Sequence, residues 1–262
     1  MLKNKIQAFK EILYFDNFIE ILFNYLFLHK RNFVRYCKNN TESILQKNKN
    51  DVNGFRATIA NSEYLKSIEY IKKIGFKDLS VLDLGFNLGA FPILLIIHKF
   101  KIKEYYGYEF NPFTYVRGGI NIESNLNCPQ TLNCAAVSNQ EGHFKYRVLR
   151  KGSTGESIYS INSDLEIEIK SISLNGIFNV ISKSLPIDIV KIDIEGAEYE
   201  IFFGDKFQKL KNAKFLLMEI HNNVDISKDD LIKVVEGLNF QTKIKTTLKN
   251  TIIYLFQNIE LV

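Results

Sequence analysis

From Leu79 onward the apolar residues fall in short, nearly continuous runs, separated by polar or glycine-bearing turns, in a chain of 262 residues. Leu79 to Leu84 is almost entirely apolar, the pattern of a parallel strand covered on both faces. After the turn carrying Gly85 and Gly89, Ala90-Phe-Pro-Ile-Leu-Leu-Ile-Ile opens an apolar helix. Pro92 is tolerated in its first turn, where the missing N–H has no partner anyway. The same reading predicts helix 90–100, strand 104–109, helix 113–124 and strand 131–137. Two antiparallel strands at 142–150 and 165–172 then break the alternation, the second with Leu165, Ile167 and Ile169 on one face. A helix near 174–182, strand 187–192, helix 197–203, strand 213–220, helix 227–237 and a closing pair near 239–246 and 251–257 complete the pattern. Alternating βα units imply an α/β fold with a mostly parallel sheet and helices on both faces. The run Thr251 to Phe256, after a turn at Lys249-Asn250, suits an antiparallel strand inserted at the end.

Upstream, residues 1 to about 48 read as helical. Polar, glycine-containing residues from Gln46 to Gly54 set a boundary there, giving an N-terminal helical extension (1–50) and a main domain (51–262). Asn61 or Ser62 can cap a helix to Lys73, with Gly75 just past its end. The apolar stretch Ile12 to Leu28 contains Asp16, Asn17, Glu20 and Asn24, which a transmembrane helix rarely carries. It predicts helices packed on the domain or on a partner subunit, with peripheral membrane contact as the lesser option. No cleavage site follows the basic first ten residues, so no signal peptide is expected.

Composition narrows the picture only slightly. Hydrophobic content of 46% and charged content of 24% suit a globular protein. A net charge of +5 is weak support for an anionic partner. Cys37, Cys128 and Cys134 form no C-x-x-C pair, which reads as reduced thiols of a cytoplasmic protein.

In a doubly wound sheet the residues closing each strand carry the chemistry. The first strand offers Asp83, Gly85, Asn87 and Gly89, a turn in which the backbone can approach a ligand at a helix start. The second ends at Glu109, 24 residues after Gly85, where a carboxylate can accept from both hydroxyls of a ribose. The third holds Asn133-Cys-Ala-Ala136, small enough to border a flat adenine. The fourth is the most distinctive: Asp188-Ile-Val-Lys-Ile-Asp-Ile-Glu-Gly-Ala-Glu198 places Lys191, Asp193, Glu195 and Glu198 within eight residues. By alternation Lys191, Asp193 and Glu195 share one face. Such charge is costly to bury unless paired or used. The fifth strand brings Glu219 and His221 to the same sheet edge.

These stretches, in this order, resemble the FkbM family of methyltransferases over about residues 78 to 257. Val190-Lys-Ile-Asp-Ile-Glu-Gly-Ala-Glu198 is the most specific part. The resemblance implies a Rossmann-like class I methyltransferase fold with an antiparallel strand near the C-terminus. It also implies methyl transfer from S-adenosylmethionine, commonly to a hydroxyl oxygen of a sugar, glycan or natural product. Gly85, Asn87 and Gly89 then meet the methionine end of the cofactor, with Asp83 holding the loop and the amino group. Glu109 binds the ribose, and Asn133 and Ala135 lie near the adenine. Asp193 and Glu195 line the floor beside the methyl. His221 is the expected base, with Asp193 or Glu195 next. A divalent cation on Asp193 and Glu219 is a minor option, and no metal is expected. Two residues depart from the family pattern. Phe86 stands where a small residue is common, so its ring either narrows the pocket or faces the helix. Asn175 replaces an aspartate.

Other functions fit less well. An NAD-dependent oxidoreductase wants G-x-G-x-x-G, and Asn87 occupies the second glycine's place. A nucleic-acid methyltransferase could use the basic surface of His29 to Arg35 and Lys243, Lys245 and Lys249, but the aromatic motif that holds a flipped base is missing, so no nucleic acid is expected. A methyltransferase-like scaffold without activity is the non-enzyme reading. A homo-oligomer is compatible with the sequence but not indicated by it.

Overall fold

The computed structural model describes residues 2–28, 30–61, 63–149, 165–222, 226–248 and 251–262. His29, Ser62, the end of the 142–150 strand, and the Lys249-Asn250 turn lie outside them. Two helices open the chain, α1 (Leu2–Leu13) and α2 (Phe18–Phe27), followed by strands β1 (Phe33–Lys38) and β2 (Thr41–Gln46) and helices α3 (Lys49–Ile59) and α4 (Leu65–Lys73). The main sheet then takes β3 (Asp78–Leu84), α5 (Ala90–Ile97), β4 (Lys101–Glu109), α6 (Pro112–Asn125) and β5 (Gln130–Val137). Next come β6 (Gly142–Val148), β7 (Leu165–Ile172), α7 (Leu174–Val180), β8 (Ile187–Ile192) and α8 (Glu198–Phe202). The chain closes with β9 (Ala213–Ile220), α9 (Lys228–Glu236), β10 (Phe240–Thr247) and β11 (Ile252–Asn258).

The large sheet has the order β10-β11-β9-β8-β3-β4-β5-β7-β6. Pairings from β9 through β5 to β7 are parallel, while β11 is antiparallel to both its neighbours and lies between β9 and β10. β6 adds an antiparallel edge on β7. Both sheet faces are covered, which explains the unbroken apolar runs. Along β9, Phe215 and Leu217 join the core with α3, α4 and α5, while Leu216 and Met218 join the core with α7, α8 and α9. The chain leaves β3 toward β4 on one side and β8 extends the sheet on the other, so the switch point lies at the carboxyl ends of β3 and β8.

Two expectations upstream need correction. Residues 33–46 form a hairpin, not helix: β1 and β2 pair antiparallel from Phe33↔Gln46 to Lys38↔Thr41. The link Asn39-Asn40 has φ of 48° and 66°, the pair of left-handed residues that a two-residue hairpin turn needs and asparagine tolerates. The hairpin is tied to α6: Asn121 Oδ1 accepts from Ile44 N and Asn125 Oδ1 from Glu42 N, both at 2.8 Å. Residues 49–59 form helix α3 where a linker was expected. Asn48 Oδ1 accepts from Asp51 N at 2.8 Å and caps it, and Val52, Phe55 and Ile59 bury one face. Local polarity around Gly54 hid that face. The α4 cap falls on Tyr64 instead of residue 61 or 62.

Candidate active site

Three left-handed residues shape the turn after β3: Gly85 (φ 82°), Asn87 (φ 51°) and Gly89 (φ 77°). Only glycine and asparagine adopt that conformation at little cost. At Gly85 a side chain is impossible for a second reason, since its Cβ would lie 1.9 Å from Asp193 O. The turn is thus pressed directly against the end of β8. Its amide at Asn87 donates to Glu109 Oε2 at 3.1 Å, and Asn111 N donates to Oε1 at 2.9 Å. Glu109 is buried and joins the first turn to the second.

Beneath the turn lies a buried ion network. Lys191 Nζ is 3.2 Å from Asp83 Oδ1, 3.3 Å from Asp193 Oδ2 and 3.1 Å from Gly85 O. Tyr105 Oη donates to Asp83 Oδ2 at 2.9 Å. Burial works against the charge on Lys191, but Asp83 and Asp193 outweigh it and hold the ammonium protonated. Asp83 is fully buried. Its expected contact with a cofactor amino group is therefore replaced by a positioning role: it anchors the lysine that holds the turn.

The carboxylates gather at the ends of β8 and β9. Tyr64 Oη lies 3.2 Å from Glu219 Oε2 and 3.3 Å from Asp193 Oδ2, and Thr251 Oγ1 donates to Glu219 Oε1 at 2.6 Å. Burial first, then the charge of Asp193, push the Glu219 carboxyl up to about 8 and that of Glu63 up to about 7. Beyond Asp193 the strand ends. Glu195 (φ 53°) and Gly196 (φ 101°) form a left-handed turn, so Glu195 is aimed by a turn and not by strand alternation.

His221 does not suit the role of base. Its Nε2 is 3.0 Å from Glu195 Oε2 and its Nδ1 3.0 Å from Glu198 Oε1. Burial alone lowers its pKa, but the hydrogen bonds to Glu195 and Glu198 hold it up to about 11. An imidazolium with both nitrogens engaged has no lone pair for a proton. His221 instead neutralises two carboxylates and fixes Glu195. Donor atoms of Asp193, Glu219 and His221 also lie within 4.8 Å of one another, the spacing of a cation site among the described residues.

A cavity of about 160 Å³ runs over these groups, lined by Gly85, Asn87 and Phe91 of the turn and α5, by Asp193, Glu195 and Glu219, and by Gly54, Thr58, Glu63 and Tyr64. Tyr64 and Glu63 carried no signal in the sequence, because nothing in Asn61-Ser-Glu-Tyr64 marks them as chemistry and only tertiary folding brings them to β8. Phe86 is buried, its ring packed between Gly107 and Gly118, where added Cβ atoms would lie 2.8 and 2.7 Å from it. Its ring packs toward α6, and the residue also forms part of the cavity wall. Asn133 and Ala135 stand outside this cavity. Ala135 belongs to the core beneath the other helix layer, while Asn133 Nδ2 is buried with no hydrogen-bond partner among the described residues. Asn175 links α7 to the loop before β9, accepting from Lys209 N at 3.0 Å, far in role from the cavity.

An open α/β sheet with one antiparallel strand inserted near its end, a glycine–asparagine turn at the switch point and an acidic strand end beside it defines a Rossmann-like methyltransferase. Residues 83–241, about three fifths of the chain, match the methyltransferase FkbM domain, and the chain belongs to that family of S-adenosylmethionine-dependent methyltransferases. Among solved structures, it is similar to magnesium protoporphyrin IX methyltransferase from Synechocystis PCC 6803 with bound S-adenosylmethionine. That match has 12% identity and a TM-score of 0.47, covering 79% of this chain and 83% of that one. A putative tRNA (m1A22) methyltransferase from Streptococcus pneumoniae is 16% identical with a TM-score of 0.43, covering 74% of this chain and 69% of that one. No curated protein matches the chain.

Proposed function

We propose that the chain methylates a hydroxyl oxygen of a sugar, glycan or other small molecule, with Glu219 taking the hydroxyl proton. The observation that carries this reading is the Glu219 carboxyl on the cavity wall, with its pKa pushed up to about 8. A general base works best with a pKa near the operating pH, and Glu219 meets that condition where His221 does not.

The residues fit the cofactor. Four carboxylates, Glu63, Asp193, Glu195 and Glu219, line the cavity against a single lysine already committed to Asp83 and Asp193. The carboxyls of Glu63 and Glu219, pushed up by burial and by Asp193, ionise more readily beside a cation, which suits a ligand with a cationic end. The buried, unpartnered Asn133 Nδ2 suits the acceptor nitrogens of an adenine. Bound there, S-adenosylmethionine supplies a methyl group already activated by its sulfonium. The turn at Gly85, Asn87 and Gly89 holds the methionine end, and Glu109 takes the ribose. Tyr64 and Thr251 orient the Glu219 carboxylate, so that it meets the acceptor hydroxyl in one geometry, and the proton leaves with Glu219 Oε. Alignment of the acceptor by a fixed wall contributes several kcal/mol to the rate.

The test pairs two variants with calorimetric titration of S-adenosylhomocysteine and a methyl-transfer assay on a panel of hydroxylated acceptors. Glu219→Gln keeps micromolar binding of the nucleoside and lowers turnover by about 10²–10⁴. Glu109→Ala loses the binding itself. Full turnover in Glu219→Gln, or turnover only on amines, overturns the hydroxyl reading. No nucleoside binding to the unaltered protein overturns the enzyme and favours a scaffold.

A further inference from the structure

We infer that helix α2 is a docking ridge for the surface of an anionic lipid bilayer, an inference independent of the acceptor reading. Ile19, Phe23, Leu26 and Phe27 are 70%, 52%, 61% and 67% exposed. At spacings of four, three and one residues they share one helix face, and the rings of Phe23 and Phe27 stand 5.0 Å apart. The opposite face buries Ile21 and Asn24. Phe33, the first residue of β1, is also 49% exposed. Scattered exposed apolar residues are ordinary, but a contiguous ridge marks a contact surface.

Charge identifies what covers it. Each acidic residue of the two N-terminal helices and their link is neutralised from within the fold: Glu11 by Arg56 at 3.1 Å, Asp16 by Lys38 at 3.0 Å and Glu20 by Arg35 at 2.9 Å. Lys10, Lys30 and Arg31 are exposed and make no ion pair among the described residues. Lys30 and Arg31 follow directly on the last turn of the ridge. An apolar ridge followed by two exposed cations outside any ion pair is complementary to acyl chains beneath a layer of lipid phosphates. The helix has ten residues, about 15 Å, half the hydrocarbon thickness. No helix among the described residues is long and apolar enough to cross a membrane. The contact is therefore interfacial.

Co-sedimentation of the full chain with vesicles tests it, using phosphatidylcholine alone and phosphatidylcholine with 30% phosphatidylglycerol. The expected result is binding to the anionic vesicles only, weakened by 0.5 M salt. Phe23→Ser/Phe27→Ser changes side chains that face outward, so circular dichroism stays unchanged while binding drops at least ten-fold. Lys30→Gln/Arg31→Gln weakens binding about thirty-fold, at roughly 1 kcal/mol per basic residue near an anionic surface. Failure to bind anionic vesicles, or binding by either double variant as tight as that of the unaltered chain, overturns the proposal. So does a solution dimer of the unaltered chain that Phe23→Ser/Phe27→Ser dissolves without any effect on vesicles.

Discussion

Phe86 shows how one bulky residue at a glycine-rich turn is absorbed. Gly107 on β4 and Gly118 on α6 leave the space its ring fills, Tyr115 packs on it with centroids 5.9 Å apart, and the residue also lines the cavity. The residue is a core side chain placed inside a binding motif. Phe86→Ala is expected to cost about 3–5 kcal/mol, as truncation of a buried aromatic does, in urea denaturation, while calorimetric affinity for S-adenosylhomocysteine changes only a few-fold. A large affinity change with little loss of stability would show that the ring touches ligand. Gly118→Ala should lose stability likewise and also weaken that affinity, because its Cβ would lie 2.0 Å from Asn87 O in the cofactor turn. Overpacking of this kind costs about 1–3 kcal/mol.

The charged residues divide along the same line between contact and support. Asp83, Lys191, Glu198 and His221 were visible in the sequence as chemistry-bearing types at strand ends. Their roles were not. Which carboxylate keeps a raised pKa and which is spent on a neighbour depends on distances of about 3 Å set by β3, β8 and β9 together.

At the scale of elements, the hairpin β1–β2 is held by side-chain amides of a helix. Asn121, buried, accepts from Ile44 N at 2.8 Å and donates to Leu88 O at 3.0 Å. It ties an N-terminal strand to Leu88, inside the cofactor turn. Asn121→Ala leaves buried backbone groups without partners, at a cost of about 1–3 kcal/mol. Hydrogen exchange at Ile44 should speed up first; unchanged protection there would mean that Asn125 and the apolar contacts hold the hairpin without Asn121. The hairpin itself was legible. Val34 and Tyr36 alternate with exposed neighbours, and Asn39-Asn40 is a turn signal. The basic and aromatic residues around it concealed the alternation, and the helices before it invited a helical reading. Helix α3 was concealed in the opposite way: its cap at Asn48 is a plain helix start, but Gly54 in its interior argued against continuation.

For the whole molecule, the cluster of raised carboxyls makes stability fall as pH rises. Glu219 (about 8 against 4.5), Glu63 (about 7 against 4.5) and His221 (about 11 against 6.5) all bind protons more tightly folded than unfolded. The stabilisation each gains is complete below its unfolded value and lost as pH climbs to its folded value. Carboxyls held low, such as Asp188, act in the other direction only in acid. The melting temperature is therefore expected to decline from about pH 5 to pH 9, and the decline to flatten in Glu219→Gln. A melting temperature constant across that range, or a slope unaltered in the variant, would contradict the raised pKa of Glu219.

The sequence by itself determined the sheet and the order of its elements from Asp78 to Asn258. Apolar runs bounded by turns leave a chain few ways to bury itself, and the left-handed turn at Gly85, Asn87 and Gly89 is written in residue types that alone tolerate it. It determined where the chemistry gathers, because strand ends at a switch point share one crevice. The tertiary structure decided what each group does there. Only when α3 and Tyr64 close over β8 and β9 do Glu63 and Glu219 lose water and become bases, and only when Glu195 and Glu198 flank His221 does that imidazole become a fixed cation. Proton affinity is a property of surroundings, and those surroundings are assembled from residues more than a hundred positions apart in the chain.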